Sequence, residues 1–182
     1  MMTVFWYILS AVLLAADQIT KHIATSLQGK EEVVVIKNVL SFNYVENPGG
    51  AWGIFKNSAW VIIALTTAAI IAIPVLMFIY RKIHPLFSLS LSLIWAGAIG
   101  NYLGHVFSGY VVDFIQVKFI SFPSFNVADC CITVGAVLLA VYILFFDKHF
   151  FRDTKKNDKS GKSGEGEKDE NGEDGKDGNN AG

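Results

Sequence analysis

The sequence predicts an all-α membrane protein with four transmembrane helices, a small extracytoplasmic β-rich segment and a disordered C-terminal tail. Of its 182 residues, 52% are hydrophobic and only 17% are charged, which is too little charge to cover a soluble domain of this length. The charges are also unevenly placed, since residues 147–182 hold eight of the 15 Lys and Arg residues and ten of the 16 Asp and Glu residues. The first 146 residues are therefore too apolar for water.

Four apolar segments are long enough for membrane helices, each of which needs about 20 residues to cross the hydrocarbon core. They cover residues 2–16 (continuing through 17–21 at the interface), 59–80, 86–103 and 129–146. The first lacks a basic start and a good small-residue cleavage site. We therefore expect it to be a retained helix rather than a cleaved signal peptide.

Lysine and arginine placement predicts the orientation, because these residues favour the cytoplasmic side of a membrane. Arg81 and Lys82 lie between the second and third segments, and Lys148 and Arg152 follow the fourth. We therefore expect both termini in the cytoplasm and residues 22–57 and 104–128 outside.

The two outer segments predict short strands, because they are rich in β-branched and aromatic residues. The first outer segment, about residues 28–56, contains EEVVVIKNVLSFNYVEN, and the second contains GYVVDFIQVKFISFPSFN. Residues 1–150 thus form one predicted domain. Residues 151–182 are dominated by Gly, Lys, Asp, Glu, Ser and Asn, which cannot bury enough apolar area to fold, so a disordered cytoplasmic tail is expected.

Three aspartates are candidates for chemistry, because an ionisable group beside a membrane segment is costly and is a functional candidate by default. They are Asp17, Asp113 and Asp129. A helix cap explains Asp129 equally well, and Asp113 could be a carboxylate at the water boundary. If the second outer segment folds back onto the helix ends, Asp113 and Asp129 meet and share one proton. One would then act as a general base while the other polarises a carbonyl group.

Other polar residues have simpler explanations when each is taken alone. Asp17 and Lys21 are four residues apart, in the order that favours an ion pair on a helix. Asn47, Asn101 and Asn126 lie near segment ends, where asparagine is most often a turn or cap residue. GxSxG and HExxH motifs are missing from the sequence, and the four histidines lack metal-ligand spacing. A net charge of −1 gives no basic face for nucleic acid.

Five short stretches, taken together and in order, resemble the lipoprotein signal peptidase (signal peptidase II) family. They are residues 17–21 (DQITK), 47–53 (NPGGAWG), 97–101 (GAIGN), 109–114 (GYVVDF) and 125–129 (FNVAD). Each stretch is weak by itself. Their order, their spacing and the four-helix layout agree with the family over roughly residues 5–146.

The resemblance implies a bacterial inner-membrane aspartyl endopeptidase. Its substrates would be diacylglyceryl-modified prolipoproteins, cleaved just before the lipid-bearing cysteine, at a site near the outer face of the membrane. Asp113 and Asp129 match the family's catalytic pair. The substrate-binding or supporting residues would be Asn47, Asn101, His105, Asn126, Asp17 and Lys21. The resemblance also implies contact with membrane lipid, inhibition by globomycin, and neither a metal nor an organic cofactor.

The chain departs from the family pattern beside the third segment. Where the family has Asp and Arg after G-N-x-x, this sequence has Gly104 and His105, and Pro48 replaces a small polar residue. The histidine lacks the fixed charge and the two-pronged donor geometry of arginine. Two alternatives to an active peptidase follow. One is a divergent paralogue that binds lipoprotein or lipid without cleaving it, and the other is a small polytopic scaffold or transporter subunit.

Overall fold

The computed structural model describes residues 2–49, 59–80 and 84–146. These residues form four helices and three strands: α1 (Met2–Thr25), β1 (Val33–Ile36), β2 (Leu40–Asn47), α2 (Ala59–Ile79), α3 (Pro85–Ser108), β3 (Val111–Val117) and α4 (Val127–Phe145). All four helices are long and apolar enough to cross a membrane. The four predicted helices and the small β-rich segment are confirmed. The tail predicted to be disordered lies outside the described residues.

Large apolar side chains cover the outer surfaces of the helices. Phe5 on α1, Leu65 on α2 and Val137 on α4 are each more than half exposed. A surface of this kind would associate in water, whereas lipid covers it at no cost in a bilayer. The exposed side chains therefore fit a chain whose solvent is lipid.

The packing of α1, α2 and α3 includes a proline in the middle of α2. Pro74 has no backbone N–H, so the carbonyl group of Ile70 loses its helical partner. The indole N–H of Trp95 on α3 donates to that carbonyl at 2.9 Å. Tyr7 on α1 donates to the Pro74 carbonyl at 3.0 Å. Neighbouring helices thus satisfy the polar groups around the proline, as a membrane interior requires.

The three strands form one antiparallel sheet in the order β1-β2-β3. Asn38 adopts a left-handed conformation (φ 61°) in the turn between β1 and β2, which asparagine tolerates. The register of β2 with β3 sets Val45 opposite Asp113. On its other edge, β3 makes an antiparallel bridge to Phe125, shortly before α4 begins. This fold-back brings β3 to the start of α4.

The third helix extends beyond its predicted end. The sequence predicts an end near Leu103, but α3 continues to Ser108, so residues 104–108 are helical. Gly104 does not break the helix, because glycine weakens a helix without stopping it. The helix ends where Gly109 adopts a left-handed conformation (φ 78°), which glycine favours.

Candidate active site

Asp113 lies on β3 with only 2% of its surface exposed. Its carboxylate accepts two side-chain hydrogen bonds, one from Asn47 Nδ2 at 2.8 Å and one from Asn126 Nδ2 at 2.6 Å. Burial raises the pKa of Asp113 from its ordinary value of 3.8 to about 6. The negative charge of Asp129 also raises this pKa, while the two asparagine bonds and the charge of Lys21 lower it. Asp113 is therefore the carboxyl group that holds a proton more readily than usual.

Asp129 lies in the first turn of α4 and is paired with Asn126, the residue just before the helix. The backbone N–H of Asp129 donates to Asn126 Oδ1 at 3.0 Å, and the backbone N–H of Asn126 donates to Asp129 Oδ2 at 3.1 Å. This reciprocal pair is a capping box. Asn126, rather than Asp129, is therefore the N-cap residue of α4, and Asp129 is the other member of the capping box, three residues later. Asn101 Nδ2 on α3 donates to Asp129 Oδ1 at 2.7 Å.

Asn126 joins the two aspartates. Its side chain is fully buried, and the amide nitrogen binds Asp113 while the amide oxygen binds the N–H of Asp129. Both aspartates line one cavity of ≈ 230 Å³. The charge of Asp129 makes ionisation of Asp113 less favourable, so the two carboxyl groups interact electrostatically. Such a pair is suited to acid–base chemistry.

The predicted supporting residues separate into two groups. Asn47, Asn101, His105 and Asn126 line the cavity together with the aspartates. Asp17 and Lys21 lie behind it, with 1% and 7% of their surfaces exposed. The predicted ion pair is confirmed, with a distance of 2.8 Å between Lys21 Nζ and Asp17 Oδ2.

The ion pair also connects helices. Asp17 Oδ1 accepts the backbone N–H of Ala128 at 2.8 Å, which ties α1 to the start of α4. Lys21 Nζ donates to Asn101 Oδ1 at 2.9 Å and to the Gly100 carbonyl at 3.1 Å. Through Asn101, the ion pair reaches the carboxylate of Asp129.

Some residues of the site were not predicted individually. The cavity wall also contains Val111, Phe122, Pro123, Ser124, Phe125, Ile132 and Thr133. Gly100 was quoted only as part of a motif, yet a Cβ atom there would lie 2.5 Å from Asp17 Oδ2. The GAIGN motif includes Gly100 and could have indicated its importance. Nothing in the local sequence marks Ser124 or Thr133 as lining residues.

The described part of the chain does not bring together a set of side chains that could bind a metal ion. Within residues 2–49, 59–80 and 84–146, no group of three or more His, Cys, Asp or Glu side chains could hold a metal ion. Residues 50–53 of the second motif lie outside the described ranges.

Comparison with known proteins gives consistent matches over most of the chain. Residues 9–145 match the family described as Signal peptidase (SPase) II. A lipoprotein signal peptidase from Brevibacillus brevis is 36% identical over 154 residues, covering 84% of this chain and 99% of the relative. One from Clostridium acetobutylicum is 39% identical over 153 residues, covering 82% and 96%. A solved structure described as a bacterial membrane enzyme has a TM-score of 0.69 at 29% identity, covering 92% and 94% of the two chains.

Proposed function

The chain belongs to the signal peptidase II family, and we propose that Asp113 and Asp129 are the pair of catalytic aspartates with which it cleaves its substrates. As a member of that family it is a protease that removes signal peptides from prolipoproteins, and it is a protein of the bacterial inner membrane. The observation that carries the proposal is the position of Asn126, which binds both aspartates at one cavity.

The two aspartates take different roles in the proposed reaction. Asp113 is buried and has a raised pKa, so it holds the shared proton and donates it to the oxygen of the scissile carbonyl. Asp129 is proposed as the base, because the amide of Asn101 and the backbone N–H of Asn126 donate to its carboxylate and orient it at the start of α4. It removes a proton from a water molecule whose oxygen attacks the carbonyl carbon.

Collapse of the resulting tetrahedral intermediate breaks the peptide bond. The leaving nitrogen takes the proton that Asp129 accepted, and Asp113 regains its proton from the hydroxyl group that becomes part of the new carboxylate. The pair returns to its starting state with one proton, and the reaction consumes one water. This chemistry uses carboxyl groups and water alone.

The substrate is proposed to be a diacylglyceryl-modified prolipoprotein, cleaved just before its lipid-bearing cysteine. The exposed apolar surfaces of the helices support this proposal, because a substrate anchored by acyl chains can approach the protein from the lipid phase. Convergence of both aspartates on one cavity also speaks against a scaffold, in which the two carboxylates have no reason to meet.

The test is cleavage of a diacylated prolipoprotein by the purified protein in lipid nanodiscs. Asp113→Asn and Asp129→Asn should each lower kcat by about 10²–10⁴-fold, the usual contribution of a general acid or base. Glu31→Gln, at an exposed carboxylate outside the cavity, is the matched control and should keep wild-type activity. Cleavage at the wild-type rate by either aspartate variant would refute the proposed pair.

A further inference from the structure

Thr133 places a hydroxyl group in the wall of the cavity that holds the two aspartates. It lies four residues after Asp129 on α4, so the two side chains share one face of the helix, and both line the cavity. The side chain of Thr133 is exposed. Thr133 therefore lies on a side of the cavity that the described residues leave uncovered, about one helical turn deeper in the bilayer than Asp129.

The hydroxyl group of Thr133 differs from that of a comparable threonine on α2. Serine and threonine in membrane helices commonly donate to a carbonyl group of the preceding turn. Thr67 does so, with its hydroxyl group 2.7 Å from the carbonyl oxygen of Ile63. In the described part of the chain, Thr133 makes no bond of this kind to Asp129. A hydroxyl group that faces lipid without an acceptor is costly, so this donor is available to a ligand.

The proposed substrate brings a matching acceptor to this part of the cavity. The scissile bond is next to a cysteine whose sulfur carries a diacylglyceryl group, in which each acyl chain is attached through an ester. An ester has a carbonyl acceptor and no donor, so a hydroxyl group is its complementary partner. At about 1.5 Å per bond, the arm from the cysteine Cα to the nearer ester carbonyl spans about 6–8 Å. Four residues of a helix cover about 6 Å, so a cysteine held beside Asp129 can place an ester at Thr133.

We propose that the hydroxyl group of Thr133 donates a hydrogen bond to an ester carbonyl of the diacylglyceryl group, which makes Thr133 a specificity-determining residue for the lipid modification. The inference rests on the proposed function, because it takes the cavity to be the peptidase site. The cavity wall near Thr133 also contains Ile132 on α4 and Phe122 in the segment before α4, which suit the first carbons of an acyl chain. The ester does not react, so the bond stabilises the bound substrate and the transition state equally. Its loss should therefore raise KM with little change in kcat.

Two substitutions at position 133 separate the hydroxyl group from the shape of the side chain. Thr133→Val keeps the branched shape and loses the donor, whereas Thr133→Ser keeps the donor and loses a methyl group. In mixed micelles of substrate and detergent, we expect Thr133→Val to raise KM about five- to tenfold, the effect of one neutral hydrogen bond. Thr133→Ser should keep KM close to the wild-type value.

The matched control is Thr67→Val, which removes a helical hydroxyl group that bonds Ile63 and does not line the cavity. This variant should keep the wild-type KM, because the substrate does not contact position 67. Equal KM values for Thr67→Val and Thr133→Val would refute the proposed bond.

A change in the substrate provides the other half of the test. A diether analogue, in which each ester carbonyl is replaced by a methylene group, retains both chains and lacks both carbonyl acceptors. For the wild type, this analogue should raise KM about five- to tenfold. For Thr133→Val it should change KM little, because both changes remove the same hydrogen bond. The same increase in KM for both enzymes would show that the ester carbonyl is not the partner of Thr133 and would overturn the proposal.

Thermal unfolding distinguishes binding from a structural role. Thr133→Val should unfold at the wild-type temperature or above it, because the substitution removes no hydrogen bond within the described part of the protein. A lowered unfolding temperature together with an unchanged KM would instead make Thr133 a structural residue and refute the inference. If the Asp113 and Asp129 variants are inactive while Thr133→Val keeps the wild-type KM, the inference about Thr133 alone fails. Active aspartate variants would refute the proposed function itself, and this inference with it.

Discussion

The three asparagines of the site share one arrangement, in which a fixed donor holds the amide oxygen and thereby turns the amide nitrogen toward a carboxylate. The donors are the N–H of Gly49 for Asn47, the ammonium of Lys21 for Asn101, and the N–H of Asp129 for Asn126. An unconstrained amide can rotate and exchange its oxygen for its nitrogen. These three amides cannot rotate in this way, so neutral amide donors orient the two carboxylates. Because these amides carry no positive charge, Asp113 can keep its proton.

The raised pKa of Asp113 predicts how activity depends on pH. The proposed reaction needs the protonated carboxyl group, and its pKa is raised to about 6 by burial. Activity measured as kcat/KM should therefore fall as the pH rises through about 6, since this parameter reports groups of the free enzyme. A profile that is flat between about pH 5 and pH 8 would contradict the assignment of Asp113 as the proton carrier.

Stability should depend on pH through the same group. The pKa of Asp113 is higher in the folded protein than its ordinary value of 3.8, so the folded state binds the proton more tightly. Stability is then fully present below about pH 4 and is lost as the pH rises through about 6, by about 3 kcal/mol at about 1.36 kcal/mol per pH unit. Thermal unfolding in detergent micelles measures this loss, and Asp113→Asn should remove most of it.

At the scale of helices, the Asp17–Lys21 pair joins α1, α3 and α4 behind the site. Asp17 binds the first turn of α4 through Ala128, and Lys21 binds the Gly100 carbonyl on α3. The small residue at position 100 makes this possible, because a Cβ atom there would lie 2.5 Å from Asp17 Oδ2. The relative positions of Asn101 and Asp129 therefore depend on a buried ion pair.

Replacing one partner of this ion pair should lower the free energy of unfolding much more than replacing both partners. Lys21→Met leaves the Asp17 carboxylate buried without its counter-charge, which should reduce the free energy of unfolding by about 3–5 kcal/mol. The double variant Asp17→Asn/Lys21→Met should recover much of that loss, because the amide oxygen introduced at position 17 can still accept the Ala128 N–H.

The matched control is the ion pair between Lys118 and Glu32, which is roughly one-third exposed at each side chain. Lys118→Met should cost much less stability than Lys21→Met, since exposed ion pairs contribute little. Unfolding in detergent measures all three variants. Equal losses for Lys21→Met and Lys118→Met would show that the inner pair does not hold the helices together.

Elements were predictable from the sequence where the controlling interactions are local. The lengths of the apolar segments predicted four helices, and runs of β-branched residues predicted strands in the regions where the structure has β1, β2 and β3. The predicted end of α3 was wrong, because the position at which this helix ends depends on the conformation of Gly109 and on packing against β3. The bond between Asp17 and Ala128, which are 111 residues apart, is a product of tertiary packing that no local pattern encodes.

At the scale of the whole molecule, the site lies at one end of the helices. Asp17 is near the end of α1, Asn101 is near the end of α3, and Asp129 is at the start of α4. The opposite end of α3 begins at Pro85, just after Arg81 and Lys82 in the sequence. Because positive residues favour the cytoplasmic side, we expect these two residues to orient the site toward the outer face. Substrates that have already crossed the membrane would then meet the aspartates there.

This orientation predicts the behaviour of reporter fusions made at successive positions of the chain. Alkaline phosphatase, which is active only outside the cytoplasm, should be active when fused after Lys30 or Phe119, and green fluorescent protein should fluoresce when fused after Lys82 or Gly182. The physical cause is the charge of Arg81 and Lys82, so replacing both with glutamate should weaken the preference for this orientation. A chain with phosphatase activity after Lys82 and fluorescence after Lys30 would be inverted. The aspartates would then face the cytoplasm, and the site could not meet a substrate delivered from the outer side.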